Sequence, residues 1–482
     1  MKESRLSLLV SNIIIYGFNQ VLVVLIPMMM LPIYSRLLPD IRIYGISSLA
    51  TTMSTLFSSI ATFGMFDAAV RFAFDEHDNK KAYQKEICST ATFFMFCTST
   101  VVGFLLIIFR EVVSKAFYST TDYSMIVVIA AGMTIFTVWN TSSLIPIRIN
   151  NQKKIAVVNS IIKAISTAVV TIILILLRQY IVAIPLGTLI ALLLTWLVTF
   201  FLIQKKYIDT KYINFTKMKE MLKYAAPLMI TFISYWIYQS ADKIMLSHLS
   251  DLNEVGIYSI GAKVGSVSGV IQNAFASGWA YFAFSTMNDK DQIQLISKIF
   301  RIGMFICCVI SMVVMAFIYP IFDLIFADGD YLQGAYLCAS LFTAPLFLTL
   351  MQIIGTQFLI KKDTKFYSGV QMIGAIVNII FNSILIPEFG ARGAAVGTLI
   401  GYAVPLILLI LFLIKCKRIF IKFRTLIVFG LSFLLLIIST LFVDDWKLCL
   451  MIGGVAASLI IILSKKEMLS LVHVLCSYLK KD

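Results

Sequence analysis

Charge is scarce in this chain of 482 residues. Only 13% of the residues are charged, whereas 60% are hydrophobic and the mean hydropathy is +0.92. A single globular core could not hide so much apolar surface from water, and this excludes a soluble protein. The composition therefore predicts an integral membrane protein.

Groups that commonly carry catalysis are also few. The three histidines, at positions 77, 248 and 473, lie far apart in predicted loops or in the tail, and the eight cysteines show no zinc or disulfide spacing. The short acidic pattern Asp328-Gly329-Asp330 is interpreted as a solvated turn. No Gly-rich phosphate loop is present. We therefore expect no enzyme, no bound metal or cofactor, and no direct use of ATP.

The sequence does contain many long apolar runs. A membrane-spanning helix needs about 20 mostly apolar residues, and fourteen segments meet that requirement. They cover residues 8–35, 43–71, 87–109, 124–147, 156–177, 183–203, 224–246, 254–283, 293–326, 334–360, 366–387, 393–414, 425–443 and 448–463. The predicted fold class is an all-α membrane protein with about 14 transmembrane helices.

Two short patterns occur twice at nearly the same separation. The first, Leu38, Asp40, Gly45, Ile46 and Ser48, returns 211 residues later as Leu249, Asp251, Gly256, Ile257 and Ser259. The second, Gly-Thr-Leu-Ile at 187–190, returns 210 residues later at 397–400. Six predicted spans separate the copies, and an even number makes both halves cross the membrane in the same direction. The sequence thus predicts a duplicated module with parallel repeats, as in many transporters.

This repeat divides the chain into five predicted parts. They are a six-helix bundle at 1–203, a basic cytoplasmic linker at 204–223, a second bundle at 224–414, two extra helices at 415–463, and a cytoplasmic tail at 464–482. The tail alternates apolar and basic residues loosely, so an interfacial helix and a disordered basic tail are both compatible with it.

The net charge of +15 comes from 40 Lys and Arg against 25 Asp and Glu. These cations concentrate in alternate loops, which sets the orientation with both termini in the cytoplasm. The main basic segments are Lys205-Lys206, 217–223, Lys361-Lys362, 415–424 and Lys465-Lys466. We expect anionic lipids at the cytoplasmic face, and no nucleic acid, as the partners of this surface.

Four cations fall inside predicted spans: Lys163, Lys243, Lys263 and Arg301. A cation at the centre of a membrane helix costs about 2.5 to 3.5 kcal/mol on insertion scales, so each needs a compensating environment. By helix rise, Lys163 and Arg301 lie about 11 to 12 Å from the inner face and Lys263 about 13 to 14 Å from the outer face. Snorkelling can explain Lys243 and Arg301. Lys263 has small neighbours and is expected to face a wet cavity.

Carboxylates and prolines inside spans add further candidates. Asp67 and Arg71 are four residues apart on one helix and are expected to pair. Asp242 adjoins Lys243 and is free to face a cation of another span. Asp67 and Asp242 are the candidates for coupling to H+ or Na+. Bends at Pro27 and Pro32 are either hinges or static kinks.

Several motifs resemble the Wzx-type polysaccharide repeat-unit flippases of the multidrug/oligosaccharidyl-lipid/polysaccharide exporter superfamily. The first half carries Leu31-Pro32-Ile33-Tyr34-Ser35-Arg36-Leu37-Leu38, Tyr44-Gly45-Ile46 and Gly64-Met65-Phe66-Asp67-Ala68-Ala69-Val70-Arg71-Phe72. The second half carries Asp242-Lys243, Gly256-Ile257-Tyr258-Ser259, Ile386-Pro387 and Gly393-Ala394-Ala395. These motifs together cover most of the chain.

This resemblance implies a MATE-like fold of two six-helix bundles around a central cavity. It also implies an undecaprenyl-pyrophosphate-linked oligosaccharide, flipped to the outer leaflet of a bacterial plasma membrane for O-antigen or other surface polysaccharide. A polysaccharide polymerase and a chain-length regulator are the expected partners. Lys163, Lys263 and Arg301, with Lys243 and Arg71, are then expected to hold the anionic headgroup.

Three alternatives stay open at this point. A lipid-linked peptidoglycan precursor flippase shares the fold, but its first span is usually strongly basic, whereas here no charge lies between Arg5 and Arg36. A multidrug or cation antiporter needs cavity carboxylates, and this chain has more intramembrane cations than anions. A membrane glycosyltransferase or polymerase is disfavoured by the short predicted outer loops.

Overall fold

A computed structural model describes residue 21 and residues 23–75, 77–150, 152–285, 290–326, 329–360 and 364–463. All regular structure in these residues is helical, which confirms the all-α fold class. The chain forms two compact units that divide between Gly256 and Ile257.

The described residues of the first unit form helices from the stretch Val23–Leu37 onward, and α10 begins in this unit. The helices are α1 (Leu31–Leu37), α2 (Ile41–Thr62), α3 (Met65–Phe72), α4 (Lys80–Ile108), α5 (Arg110–Tyr118), α6 (Ser124–Ile149), α7 (Lys153–Leu176), α8 (Tyr180–Leu202), α9 (Phe215–Leu249) and α10 (Leu252–Gly265). Short 3₁₀ turns at Gln204–Lys206 and Thr210–Tyr212 lie between α8 and α9.

The second unit begins inside α10. It continues with α11 (Val267–Ser285), α12 (Gln292–Ile325), α13 (Gly334–Ile360), α14 (Thr364–Lys415), α15 (Phe423–Phe442) and α16 (Trp446–Leu463). Helix α14 has a break at Gly390, whose φ of 53° and ψ of −130° are not helical, so it consists of two arms. A 3₁₀ turn at Asp330–Gln333 precedes α13.

Helix boundaries follow from capping residues and glycines. Asp40 and Asn79 accept hydrogen bonds from the free backbone N–H groups of Arg42 and Ala82, and Asn214 does the same at the start of α9. Phe63 and Gly64 adopt left-handed conformations between α2 and α3 and bend this pair by 45°. Apolar sequence therefore makes the helices, and local polar or left-handed residues end them.

The predicted spans match these helices closely, with three helix breaks. The predicted span at 43–71 is the bent pair α2 and α3, the span at 254–283 is α10 and α11, and α14 contains two spans. Nine helices among the described residues are long and apolar enough to cross a membrane, or ten if the bent pair is one span. The total of fourteen stays a prediction. The start of the first predicted span and the tail at 464–482 lie outside the described residues.

The same close contact occurs once in each unit, at the second repeated pattern. A Cβ atom added to Gly187 on α8 would lie 3.1 Å from the backbone nitrogen of Thr171 on α7. In the second unit, a Cβ on Gly397 would lie 3.2 Å from the backbone nitrogen of Asn382, in the other arm of α14. Glycine lets two membrane helices approach at this position in both copies.

The two extra helices pack within the second unit. Gly453 of α16 approaches α12 so closely that a Cβ would lie 2.7 Å from the carbonyl oxygen of Met312. On α15, Thr440 is hydrogen-bonded to Ser340 of α13, with 2.8 Å between the hydroxyl oxygens. These buried contacts make α15 and α16 part of that unit's core.

The linker is fixed to the start of α4 in the first unit. The buried Ser89 hydroxyl donates to the Tyr207 carbonyl (3.2 Å) and accepts from the backbone N–H of Asp209 (3.0 Å). Thr90 accepts from the N–H of Asn214 (3.0 Å). The backbone N–H of Lys211 and the nearby Lys85 ammonium lower the pKa of the Asp209 carboxyl. The chain between α8 and α9 is therefore an ordered connection.

Candidate functional site

Helix α10 ends inside the predicted eighth span, and Lys263 lies in its last turn. The Ser266 hydroxyl donates to the Lys263 carbonyl (2.6 Å), and the Ser268 hydroxyl donates to the Gly265 carbonyl (2.9 Å). Side chains thus satisfy backbone oxygens that the break leaves without helical partners. A discontinuous membrane helix is typical of substrate and ion sites in transporters.

The two glycines that flank Lys263 determine the direction of its side chain. A Cβ on Gly261 would lie 2.9 Å from the Gly334 carbonyl oxygen, and one on Gly265 would lie 3.1 Å from Leu341, both on α13. Residues 261 and 265 share one helix face, and residue 263 lies on the opposite face. Lys263 therefore points away from α13.

The charge of Lys263 is compensated in part by the helix itself. The carbonyl groups at a helix C-terminus carry partial negative charge and stabilise a nearby cation. Within the described residues, the Lys263 ammonium has no salt bridge and no hydrogen-bond acceptor. The expectation that it faces a wet cavity stays a prediction.

Lys243 binds a residue of the first repeated pattern. Its Nζ donates a hydrogen bond of 2.9 Å to the hydroxyl of Ser48 on α2, and the adjacent Asp242 is almost fully buried. Lys243 and Asp242 are recognisable in the sequence as charges inside a span, whereas Ser48 is not recognisable there as the partner of Lys243. The repeated pattern was the sequence signal that could have indicated Ser48, because Ser48 belongs to it.

The expected pair of Asp67 and Arg71 is wrong. Arg71 forms its ion pair with Asp75, one turn further along the chain, at 2.5 Å between Nη1 and Oδ1. Asp67 instead lies in the electrostatic range of Arg148, whose guanidinium stacks on the Phe66 ring at 5.0 Å. The helix ends at Phe72, so Arg71 reaches past its terminus to Asp75 in the following turn.

The other candidates occupy separate places. Lys163 is exposed on α7, a helix whose described surface is mostly apolar and open. Arg301 on α12 lines a cavity with Lys417 and Lys422. The apolar helical stretch Val23–Leu37 contains both Pro27 and Pro32, and Met30 between them keeps helical backbone angles (φ −78°, ψ −20°). A moving hinge at Pro27 or Pro32 stays a prediction.

Comparison with known structures shows the fold. The structure titled lipid II flippase MurJ, inward closed conformation, aligns with a TM-score of 0.70 at 16% identity, over 94% of this chain and 99% of that chain. An inward-facing multidrug resistance MATE family transporter of the MOP superfamily aligns with a TM-score of 0.60 at 17% identity, over 81% and 96%. The expected MATE-like fold is confirmed.

Two curated proteins match part of the sequence. Uncharacterized membrane protein MJ1068 of Methanocaldococcus jannaschii is 29% identical over 41% of this chain and 40% of its own length. Probable low-salt glycan biosynthesis flippase Agl15 of Haloferax volcanii is 22% identical over 40% and 42%. The chain thus spans about two fifths of the length of these relatives.

Family comparison gives two matches. The MatE family matches residues 227–384, and the family described as polysaccharide biosynthesis protein matches residues 9–288, which is more than half of the chain. The chain therefore belongs to the polysaccharide biosynthesis protein family, within the superfamily of membrane transporters and flippases that also includes the MATE exporters.

Proposed function

We propose that this protein flips an oligosaccharide linked by pyrophosphate to undecaprenol from the inner to the outer leaflet of a bacterial plasma membrane. The oligosaccharide is a repeat unit of O-antigen or another surface polysaccharide, which a polymerase and a chain-length regulator then assemble. The protein works by alternating access and uses an H+ or Na+ gradient or the removal of product as its driving force. Family membership and fold support this proposal.

The single observation that carries the proposal is the position of Lys263. This residue lies in the last turn before a helix break, is on the helix face opposite α13, and has no anionic partner among the described side chains. A pyrophosphate group would supply the missing negative charge, and it is a strong acceptor for a lysine ammonium. A cationic drug would be repelled at this position.

Lys243 gives the headgroup a second contact in the proposed mechanism. Its ammonium donates to the Ser48 hydroxyl at 2.9 Å, which fixes the position of this positive charge beside α2. Asp242, buried beside it, is the proposed coupling carboxylate, with Asp67 as the second candidate. Lys163, Arg71 and Arg301 stay candidates for the headgroup.

Deletion of the gene tests the proposal in the cell. We expect lipid-linked oligosaccharide to accumulate at the cytoplasmic leaflet and surface polymer to disappear. Normal surface polymer, in a strain with no second transporter of this family, would contradict the proposal. Sensitivity to drugs with intact polymer would favour a multidrug antiporter, and arrest of cell-wall synthesis would favour a peptidoglycan precursor flippase.

Variants of Lys263 test the site. Lys263→Ala is expected to abolish flipping of fluorescent lipid-linked oligosaccharide in proteoliposomes, and Lys263→Arg to retain part of it, because Arg keeps the charge. Lys298→Ala, an exposed lysine of α12, is the matched control and is expected to flip normally. Equal amounts of folded protein are verified by gel filtration. Normal flipping by Lys263→Ala would contradict this site assignment.

A further inference from the structure

A cavity of about 280 Å³ lies in the second unit, between α12 and the segment that joins α14 to α15. Three cations line it: Arg301 from the helix, and Lys417 and Lys422 from the joining segment. The remaining lining residues are apolar and include Ile414, Ile419 and Phe420. The cavity therefore combines positive charge with an apolar wall.

The joining segment is held in place by hydrogen bonds. Lys417 takes a left-handed conformation with φ 55°, and the N–H groups of Lys417 and Arg418 bond to the carbonyls of Ile414 and Leu413 at 3.0 and 2.9 Å. This arrangement ends α14 and turns the chain back. The Phe420 N–H then donates to the Ser297 hydroxyl at 2.9 Å. Ser297 lies one helical turn before Arg301, so the segment is anchored beside that arginine.

Arg301 provides an observation that points to a ligand. Its Nε is buried and has no hydrogen-bond partner in the part of the chain that the structure describes. Among the described residues, the cavity lining contains Arg301, Lys417 and Lys422 and no carboxylate. A buried donor without an acceptor and the repulsion of like charges are both unfavourable. An anion bound in the cavity would relieve the repulsion between the like charges.

We propose that this cavity binds the phosphate group of an anionic phospholipid. Arginine and lysine are the side chains that bind phosphate oxygens most readily. The predicted orientation puts residues 415–424 at the cytoplasmic face, where anionic headgroups are found. Ile414 is 38% exposed and Phe420 54% exposed, so they can pack along the first carbons of the acyl chains. Free phosphate shares the charge but makes no use of this apolar wall.

The proposal does not rest on the proposed function, because binding is measured without transport. Purified full-length protein in neutral detergent is titrated with dihexanoyl phosphatidylglycerol, inorganic phosphate or farnesyl diphosphate, and binding is followed by calorimetry. We expect saturable binding of the phosphatidylglycerol. Arg301→Gln and Lys417→Gln each remove a charge-assisted contact and should bind at least about tenfold more weakly. Lys417 is exposed, so its variant is expected to fold normally.

The matched control is Arg424→Gln, an exposed cation just after the cavity-lining segment. It should bind like the unaltered protein. Unchanged affinity in both Arg301→Gln and Lys417→Gln would overturn the proposed site. Inorganic phosphate that binds as tightly as phosphatidylglycerol would overturn the lipid assignment in favour of free phosphate. Farnesyl diphosphate that binds more than about tenfold tighter would overturn it in favour of a polyprenyl pyrophosphate.

Discussion

Gly45 and Gly256, the glycines of the two copies of the first repeated pattern, pack against each other. A Cβ on Gly45 would lie 2.8 Å from the backbone nitrogen of Gly256, and a Cβ on Gly256 would lie 2.5 Å from the carbonyl oxygen of Ile41. These obstacles are backbone atoms, which cannot move aside as a flexible side chain can. The repeated pattern therefore forms a contact between its own two copies.

Gly45→Ala and Gly256→Ala are each expected to destabilise the protein by about 1 to 3 kcal/mol, because the added methyl group overpacks a backbone contact. The measurement is the midpoint of thermal unfolding in detergent. Gly430→Ala and Gly454→Ala are the controls, since a Cβ at either position meets nothing within 4 Å. These controls should be neutral or gain up to about 1 kcal/mol from the higher helix propensity of alanine. An equal loss in test and control variants would refute the close contact.

The Lys243 and Ser48 pair predicts a coupling between two residues far apart in sequence. A hydrogen bond to a charged group contributes about 1.5 to 3 kcal/mol, so Lys243→Met and Ser48→Ala should not be additive. A double-mutant cycle on thermal unfolding measures this coupling. Lys243→Met combined with Ser59→Ala is the control, because the Ser59 hydroxyl donates to the Thr55 carbonyl of its own helix. A coupling near zero for Lys243 with Ser48 would show that the bond does not form in solution.

Arg392 makes two contacts that differ in expected strength. It pairs with Asp444 at 2.7 Å, and its guanidinium lies over the Tyr336 ring at 4.8 Å. Asp444 is 83% exposed, so Asp444→Asn should cost no more than about 1 kcal/mol. Arg392→Ala should cost more, because it also removes the packing on Tyr336. Unfolding midpoints measured at low and high salt separate the contribution of the salt bridge from that of the packing on Tyr336. A larger loss of stability in Asp444→Asn than in Arg392→Ala would contradict this ranking.

The linker predicts a pH dependence through Asp209. The Lys211 N–H, with Lys85, lowers the pKa of this carboxyl in the folded protein. A lowered pKa stabilises the folded linker at pH values above the unfolded pKa of about 3.9, and this contribution is lost as pH falls through the lower folded pKa. We expect the linker to become sensitive to an acid-active protease in that range.

Asp209→Asn removes the titrating group. The protease should then cleave the linker at the same rate above and below that pH range. Asp251→Asn is the control, because Asp251 caps α10 outside the linker, accepting from the Glu254 N–H. The control should keep the acid sensitivity of the unaltered linker. An unchanged pH profile in Asp209→Asn would assign the sensitivity to another group.

Helix positions were predictable because they depend on local apolar runs. The predicted span at 334–360 coincides with α13, and that at 124–147 falls within α6. Breaks inside spans were harder to predict. The left-handed turn at Phe63 and Gly64 and the end of α10 near Ser266 interrupt sequence that is still apolar enough to continue. At the second break, Gly261 and Gly265 pack on α13. The local sequence pattern does not predict this packing.

Charged residues show the same division. Because charged residues are rare inside the spans, Lys243, Lys263 and Arg301 could be identified as candidates from the sequence alone. Their partners depend on which helices become neighbours, so Ser48 and the cavity at Lys417 were visible only in the structure. Arg71 illustrates a local error, since the i to i+4 rule fitted Asp67 and Asp75 equally and the helix end favoured Asp75.

The sequence by itself determined that this is an all-helical membrane protein and predicted a duplicated module, because hydrophobicity and repeat spacing are properties of the chain. The tertiary structure alone decided that Gly45 meets Gly256 and that Gly187 and Gly397 make equivalent contacts in their own units. It also decided that the two extra helices join the core of the second unit. These outcomes depend on helix packing, because the role of a glycine is visible only when the backbone that packs against it is known.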